Sequence, residues 1–184
     1  MRNRIYYGMC GCFKATTIKS ILRDNPDVEV RWSMIKPWKR IEDKLFPGMI
    51  PSSNLNYAIL HLIGLQDIHK ETVVVERGVT DMIFYESLSP GDWISRAVDY
   101  EASLLGGNPE KILLIQRDRE FIRDIVLQEK TRRDAFPLGV DDFLRQQEKY
   151  IRFTKSYNDI SSEVVIDDAK RYIEVTLGLE YNNY

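Results

Sequence analysis

The sequence is short of several things, and each shortage removes a class of answer. No run of about 18 consecutive apolar residues occurs, so a membrane span is excluded. Cysteine is confined to Cys10 and Cys12, two residues apart, poorly placed for a structural disulfide and too few for a zinc cage. Excess charge of either sign is missing. The 26 basic and 28 acidic residues leave a formal net charge of -2, so no whole-chain field favours duplex nucleic acid. Low complexity, internal repeats and linker-like stretches are also absent. The basic opening from Met1 to Gly8 leads into no long apolar core or small-residue cleavage site, so no secretory signal is expected. The sparse cysteine fits a reducing, cytoplasmic setting.

What is present is an ordinary globular balance: 184 residues, 43% hydrophobic and 29% charged. This length predicts a single domain, residues 1–184, with room for a sizeable core. Strand and helix signals alternate. Arg4 to Tyr7, Val28 to Trp32, Thr72 to Val75, Lys111 to Ile115 and Glu163 to Ile166 read as strands. The two central runs are continuously apolar, as in strands covered on both faces. Helical spacing marks 14–23, about 53–70, 80–87, 90–104, 119–128, 140–154 and 169–177. Leu55, Ala58, Ile59, Leu62, Ile63 and Leu65 make the second of these apolar enough to lie within the core. The alternation predicts an α/β fold, a five-stranded mainly parallel sheet with helices on both faces.

In such sheets ligands bind beyond the carboxyl ends of the strands. After the first strand come Gly8, Met9, Cys10, Gly11, Cys12, Phe13, Lys14, Ala15 and Thr16. Gly8, Gly11, Lys14 and Thr16 fit the spacing of a phosphate loop, where backbone amides, a lysine and a helix N-terminus meet one anion. The same residues also suit a plain turn with a solvated lysine. Phe13 replaces the glycine before the lysine, and Ala15 replaces the hydroxyl residue that would ligate Mg²⁺, leaving Thr16 one position late. A thiol at a helix N-terminus is acidified, so oxidation of Cys10 or Cys12 competes with simple filling of loop space.

After the third strand come Glu76 and Arg77, a metal-holding carboxylate and a phosphate-pairing guanidinium, or else a surface ion pair. Asp81 follows on the next helix. Lys36, Trp38 and Arg40 after the second strand suit a nucleotide, with the ring on a base and the cations on phosphate; a solvated basic turn is the plainer alternative. The paired Arg132 and Arg133 fall in a polar segment that could close over a phosphoryl-transfer site. His61 and His69 lack metal-ligand spacing and read as core-edge or surface residues.

Taken in order, these motifs resemble the P-loop nucleoside and nucleoside-monophosphate kinases, nearest the thymidylate kinase and deoxynucleoside kinase branches, with a divergent phosphate loop. The resemblance spans nearly the whole chain and implies phosphoryl transfer from ATP with Mg²⁺. It implies that Gly8 to Thr16 bind ATP, that Lys14, Arg77, Arg132 and Arg133 act in catalysis, and that Glu76 and Thr16 meet the metal. It also implies that Lys36, Trp38, Arg40, Tyr57, Gln66, Arg77 and Asp81 bind the acceptor, and that a lid lies around 129–139. Deoxynucleoside kinases carry a glutamate where this chain has Lys36. Lysine is a poor base at neutral pH but suits an acceptor that is already anionic. The expected reaction is therefore phosphorylation of a (deoxy)nucleoside monophosphate. A deoxynucleoside kinase, a polynucleotide-end kinase and a non-catalytic nucleotide-binding module stay open beside it. The expected partner is a small nucleotide, and the apolar 55–65 helix could also serve a homodimer.

Overall fold

The computed structural model describes residues 2–33, 54–68, 70–84, 91–130 and 139–177, together with Ile41 and Lys44. Lys36, Trp38, Arg40, His69, Arg132 and Arg133, and with them most of the expected lid, lie outside the described residues.

The apolar runs become strands β1 (Arg4–Tyr7), β2 (Glu29–Arg31), β3 (Val73–Glu76), β4 (Glu110–Gln116) and β5 (Ser162–Ile166). They form one sheet in the order β2-β3-β1-β4-β5, and every pairing is parallel. Parallel neighbours require crossovers, and the helical segments supply them: α1 (Lys14–Asp24), α2 (Asn54–Gln66), α3 (Val79–Ile83), α4 (Asp92–Leu104), α5 (Arg119–Lys130), α6 (Val140–Tyr157) and α7 (Ala169–Leu177). The order steps one way from β1 to β2 and the other way from β2 onward. Right-handed crossovers then put helices on both faces. α1 packs against α7, while α2, α3, α4 and α6 pack among themselves.

The core is what this topology dictates. Val73, Val74 and Val75 are wholly buried in β3, and Leu113 and Leu114 in β4, joined by Ile5, Ile18, Ile122 and Phe143. A second apolar cluster, with Tyr57, Ala58, Val79, Met82, Ile94 and Val98, lies between α2, α3 and α4. One expectation fails here. Ile59 is 48% and Ile63 52% exposed, so α2 buries Ala58 and Leu65 but turns a branched apolar edge outward. Overall hydrophobicity measured how apolar the helix is, not which face meets the core. No helix among the described residues is long and apolar enough to cross a membrane.

At the carboxyl end, Asp118 ties two helix starts together. Its Oδ1 accepts the Phe121 amide at 3.0 Å, and its Oδ2 accepts the Ala169 amide at 2.8 Å. The starts of α5 and α7 are thereby fixed beside that of α1.

Candidate active site

β1 lies between β3 and β4, so whatever follows these three strands shares one rim. Tyr6 is paired with Glu76, and the Arg77 amide continues the ladder to Tyr6 O at 3.1 Å. The Gly8 loop and the Glu76–Arg77 pair, nearly 70 residues apart in sequence, are adjacent for this reason alone.

The loop turns on its two glycines. Gly8 has φ +152 and Gly11 φ +86, conformations that favour glycine. A Cβ on Gly11 would sit 2.5 Å from Ile125 Cδ1, so α5 presses on the loop from outside. α1 then starts with no side-chain cap and no acidic residue in its first turn. The first amides of an α-helix have no partner within the helix, so this end offers N–H groups and a positive partial charge to an anion. Lys14 is 5% exposed and folds back over the loop, donating to Met9 O at 2.9 Å and to Gly8 O. Burial and then the nearby Arg77 lower the Lys14 pKa, while Asp81 works against them.

Phe13 explains the divergent loop sequence. It adopts φ +54, unusual for a bulky residue. Its ring is stacked on Phe121 at 4.6 Å and tilted against Tyr172 at 5.3 Å. Contacts with the starts of α5 and α7 thus stand where a glycine's freedom would otherwise be required. Thr17, one residue beyond Thr16, bonds its hydroxyl to Phe13 O at 3.0 Å and to the Tyr172 hydroxyl. Thr16 and Ala15 are half-buried in the first turn of α1. Cys12 is buried against Gln147 Oε1 at 3.5 Å, and burial pushes its thiol up to about 11, against the pull of Lys14. Cys12 therefore fills space and stays protonated, the plainer of its two readings.

On the neighbouring strand, Glu76 is half-buried and its Oε2 accepts the Ser33 amide at 3.2 Å. No group of three or more metal-ligating side chains occurs among the described residues. Mg²⁺ beside phosphates needs only one or two carboxylates, the remaining positions going to phosphate oxygens and water. Glu76 fits that requirement, and the uncapped α1 end fits the phosphates. Arg77 takes φ +80. Burial works against its charge, but Asp81 and Glu76 outweigh it and raise its pKa.

Three of the expected acceptor residues do not line an open acceptor surface: Gln66 lies at the other end of the sheet, and Asp81 and Tyr57 are buried. Gln66 closes α2, whose chain then enters β3 at its amino end, and its side chain bonds the Tyr100 hydroxyl at 2.9 Å. Asp81 is 2% exposed, beneath the loop rather than on its surface. Its Oδ1 accepts from the Tyr150 hydroxyl and lies 3.5 Å from the Gly8 amide. Burial raises its pKa, opposed by Lys14, Arg77 and these hydrogen bonds. Tyr57 is buried in the second apolar cluster.

Several residues here escaped the sequence reading. Gln147 donates to Gln116 O and accepts the Gln116 amide, both at 2.9 Å, and Gln116 in turn donates to Gly11 O at 3.2 Å. Glu101, fully buried, accepts the Val79 amide at 2.9 Å and lies 2.6 Å from His61 Nε2 and 3.3 Å from the Tyr7 hydroxyl. His61 is thus a buried, paired residue rather than a core-edge or surface one. The available signal was polar identity on an apolar stripe: Gln147 between Phe143 and Ile151, and Glu101 after Ile94 and Val98.

No protein-family model matches the sequence, and no curated protein does. Solved structures do resemble it in shape. The tunicamycin resistance protein of Deinococcus radiodurans is 17% identical with a TM-score of 0.54, covering 98% of each chain. Thymidylate kinase from Ehrlichia chaffeensis is 12% identical with a TM-score of 0.52, covering 96% of this chain and 95% of that one. The YorR protein of Bacillus subtilis, solved in complex with phosphorylated GDP, is 15% identical with a TM-score of 0.52, covering 89% and 84%. With its parallel five-stranded sheet and seven described helices, this chain has the P-loop kinase fold.

Proposed function

We propose that the chain acts as one domain, a nucleotide kinase that transfers the γ-phosphoryl group of ATP to a (deoxy)nucleoside monophosphate. The observation that carries this reading is the uncapped start of α1, with Lys14 folded over its loop, set beside Glu76 and Arg77 on the adjacent strand. A donor's phosphates would lie on the α1 amides, with Lys14 exchanging its two carbonyl partners for phosphate oxygens. Glu76 would hold Mg²⁺, which supplies charge neutralisation to the transferring group. Arg77 would orient the anionic acceptor. Such transfer needs positioning and electrostatic stabilisation more than covalent chemistry, and these residues offer both. Arg132 and Arg133 would add charge from the expected lid, and Lys36, Trp38 and Arg40 would meet the acceptor.

The test is a panel of deoxynucleoside and nucleoside monophosphates, each with ATP and Mg²⁺, with formation of ADP and of the nucleoside diphosphate measured. One acceptor should consume ATP at about 10²-fold or more above the Lys14→Ala protein. If every monophosphate stays at the Lys14→Ala level, the reading is wrong. ATP binding without turnover would instead identify a non-catalytic nucleotide-binding module, and labelled phosphate on an oligonucleotide end a different kinase class.

A further inference from the structure

We propose that Tyr150 is a positioning residue for this transfer: its hydroxyl joins the first amide of the phosphate loop to the buried carboxylate behind Arg77, and so sets the donor lysine against the acceptor arginine. The proposal rests on the kinase reading above.

The geometry is a three-way junction of elements distant in sequence. The Gly8 amide, just beyond β1, donates to Tyr150 Oη at 2.8 Å. The same hydroxyl, carried by α6, donates to Asp81 Oδ1 in α3. Tyr150 is buried, and burial together with Asp81 raises its pKa well above the ordinary phenol value, so it keeps its proton and remains the donor. The edge of the Phe84 ring packs against it, with centroids 5.3 Å apart, and limits its movement. Gly8 N–H is consequently committed to the scaffold, and the loop offers an anion only the amides beyond it.

Asp81 shows why this junction does more than pack. Its Oδ2 is buried and has no hydrogen-bond partner among the described residues. A buried carboxylate oxygen without a partner costs stability, and an apolar side chain would fill the space with less penalty. What Asp81 provides is a carboxyl group whose charge, when ionised, faces both Lys14 and Arg77. Tyr150 fixes where that charge sits. The groups facing Asp81 are Lys14 of α1, Arg77, and the hydroxyls of Tyr7 and Tyr150. The titratable groups of α2 and α4 near α3, His61 and Glu101, pair with each other. Gln147, one turn earlier on α6, holds Gln116 and Cys12, so a single helix grips the loop at two points.

The experiment compares wild type, Tyr150→Phe and, as a control on the same helix, Tyr157→Phe. kcat and KM are measured across pH, and amide hydrogen exchange is measured without nucleotide. Tyr150→Phe should lower kcat about tenfold or more while KM for ATP moves much less. The acid limb of its kcat profile should shift upward, because the lost hydroxyl no longer helps Asp81 stay ionised. Tyr157→Phe should match wild type. Exchange in 8–12 and in 77–81 should accelerate together in Tyr150→Phe. A kcat within about twofold of wild type and an unmoved acid limb would overturn the proposal. If the wild type phosphorylates no acceptor, the kinase reading falls but the exchange measurement still decides the link. Acceleration in only one segment, or in neither, overturns it. Should Tyr150→Phe fail to fold, Asp81→Asn probes the same junction from the other side. It should lower kcat and remove the acid limb, and a wild-type profile would contradict the proposal.

Discussion

Asp81 and Glu101 are both buried carboxylates beneath the same rim, and the chain treats them differently. Glu101 is saturated: His61 and the Val79 amide on Oε1, and the Tyr7 hydroxyl near Oε2. Asp81 has one oxygen tied to Tyr150 and the other without a partner among the described residues, with two cations facing it. A buried polar network with every member satisfied rigidifies a fold, whereas one left incomplete marks stored cost. Glu101 thus reads as the part that builds the Arg77 turn, since it caps the segment two residues beyond Arg77. Asp81 reads as the part that sets charge beside Lys14 and Arg77. The difference separates scaffold from site in two residues that a composition count would treat alike.

The strongest way to break this comparison is Glu101→Ala. It strips partners from His61, Tyr7 and the Val79 amide, and should cost about 3–5 kcal/mol in urea unfolding. ATP affinity of the folded protein should survive at low temperature. An unchanged unfolding midpoint would remove Glu101 from the scaffold. Gly78→Ala comes next. Its added Cβ would lie 2.6 Å from the Tyr7 hydroxyl, and the resulting strain should cost about 1–3 kcal/mol by the same measurement.

Asp81→Asn sharpens the contrast from the other side, with a smaller effect whose sign depends on pH. Because the folded-state pKa of Asp81 is raised, its contribution to stability is present below the unfolded carboxylate value of about 3.9 and is lost as pH rises through the folded value. The asparagine variant carries no such loss. It should therefore gain on wild type as pH rises from about 4 through the folded value. A variant that loses ground over that range would contradict the direction. Phe13→Gly should have the smallest effect. Losing the Phe121 stack costs about 0.5–1.5 kcal/mol, and relief of the positive φ returns part of it. Thermal unfolding should move only slightly, and a large drop would mean that the ring anchors the loop.

Much of this was legible in the chain itself. The continuous apolar runs at 72–75 and 111–115 mark two buried parallel strands, and the Gly8–Thr17 and Glu76–Arg77 motifs directly follow strands whose ends share one rim. Their adjacency follows from strand order, to which the motif order is the only sequence clue. The side of Asp81 that faces inward was not legible, because the group that holds it, Tyr150, is 69 residues away. Tyr150 itself resembles any aromatic residue on an apolar helix face. Glu101 and Gln147 left a fainter trace as polar residues interrupting such faces. Ile59 and Ile63 misled in the opposite direction, since an apolar helix edge carries no mark of whether anything covers it.

On this reading the uncapped α1 start and Lys14 form a working phosphate site despite Phe13 and Ala15. Calorimetric titration of the whole chain with ATP and Mg²⁺, beside Lys14→Ala, tests it directly. Wild type should bind one ATP, and Lys14→Ala should bind about tenfold or more weakly. Equal binding by the two proteins, or none by either, would contradict it.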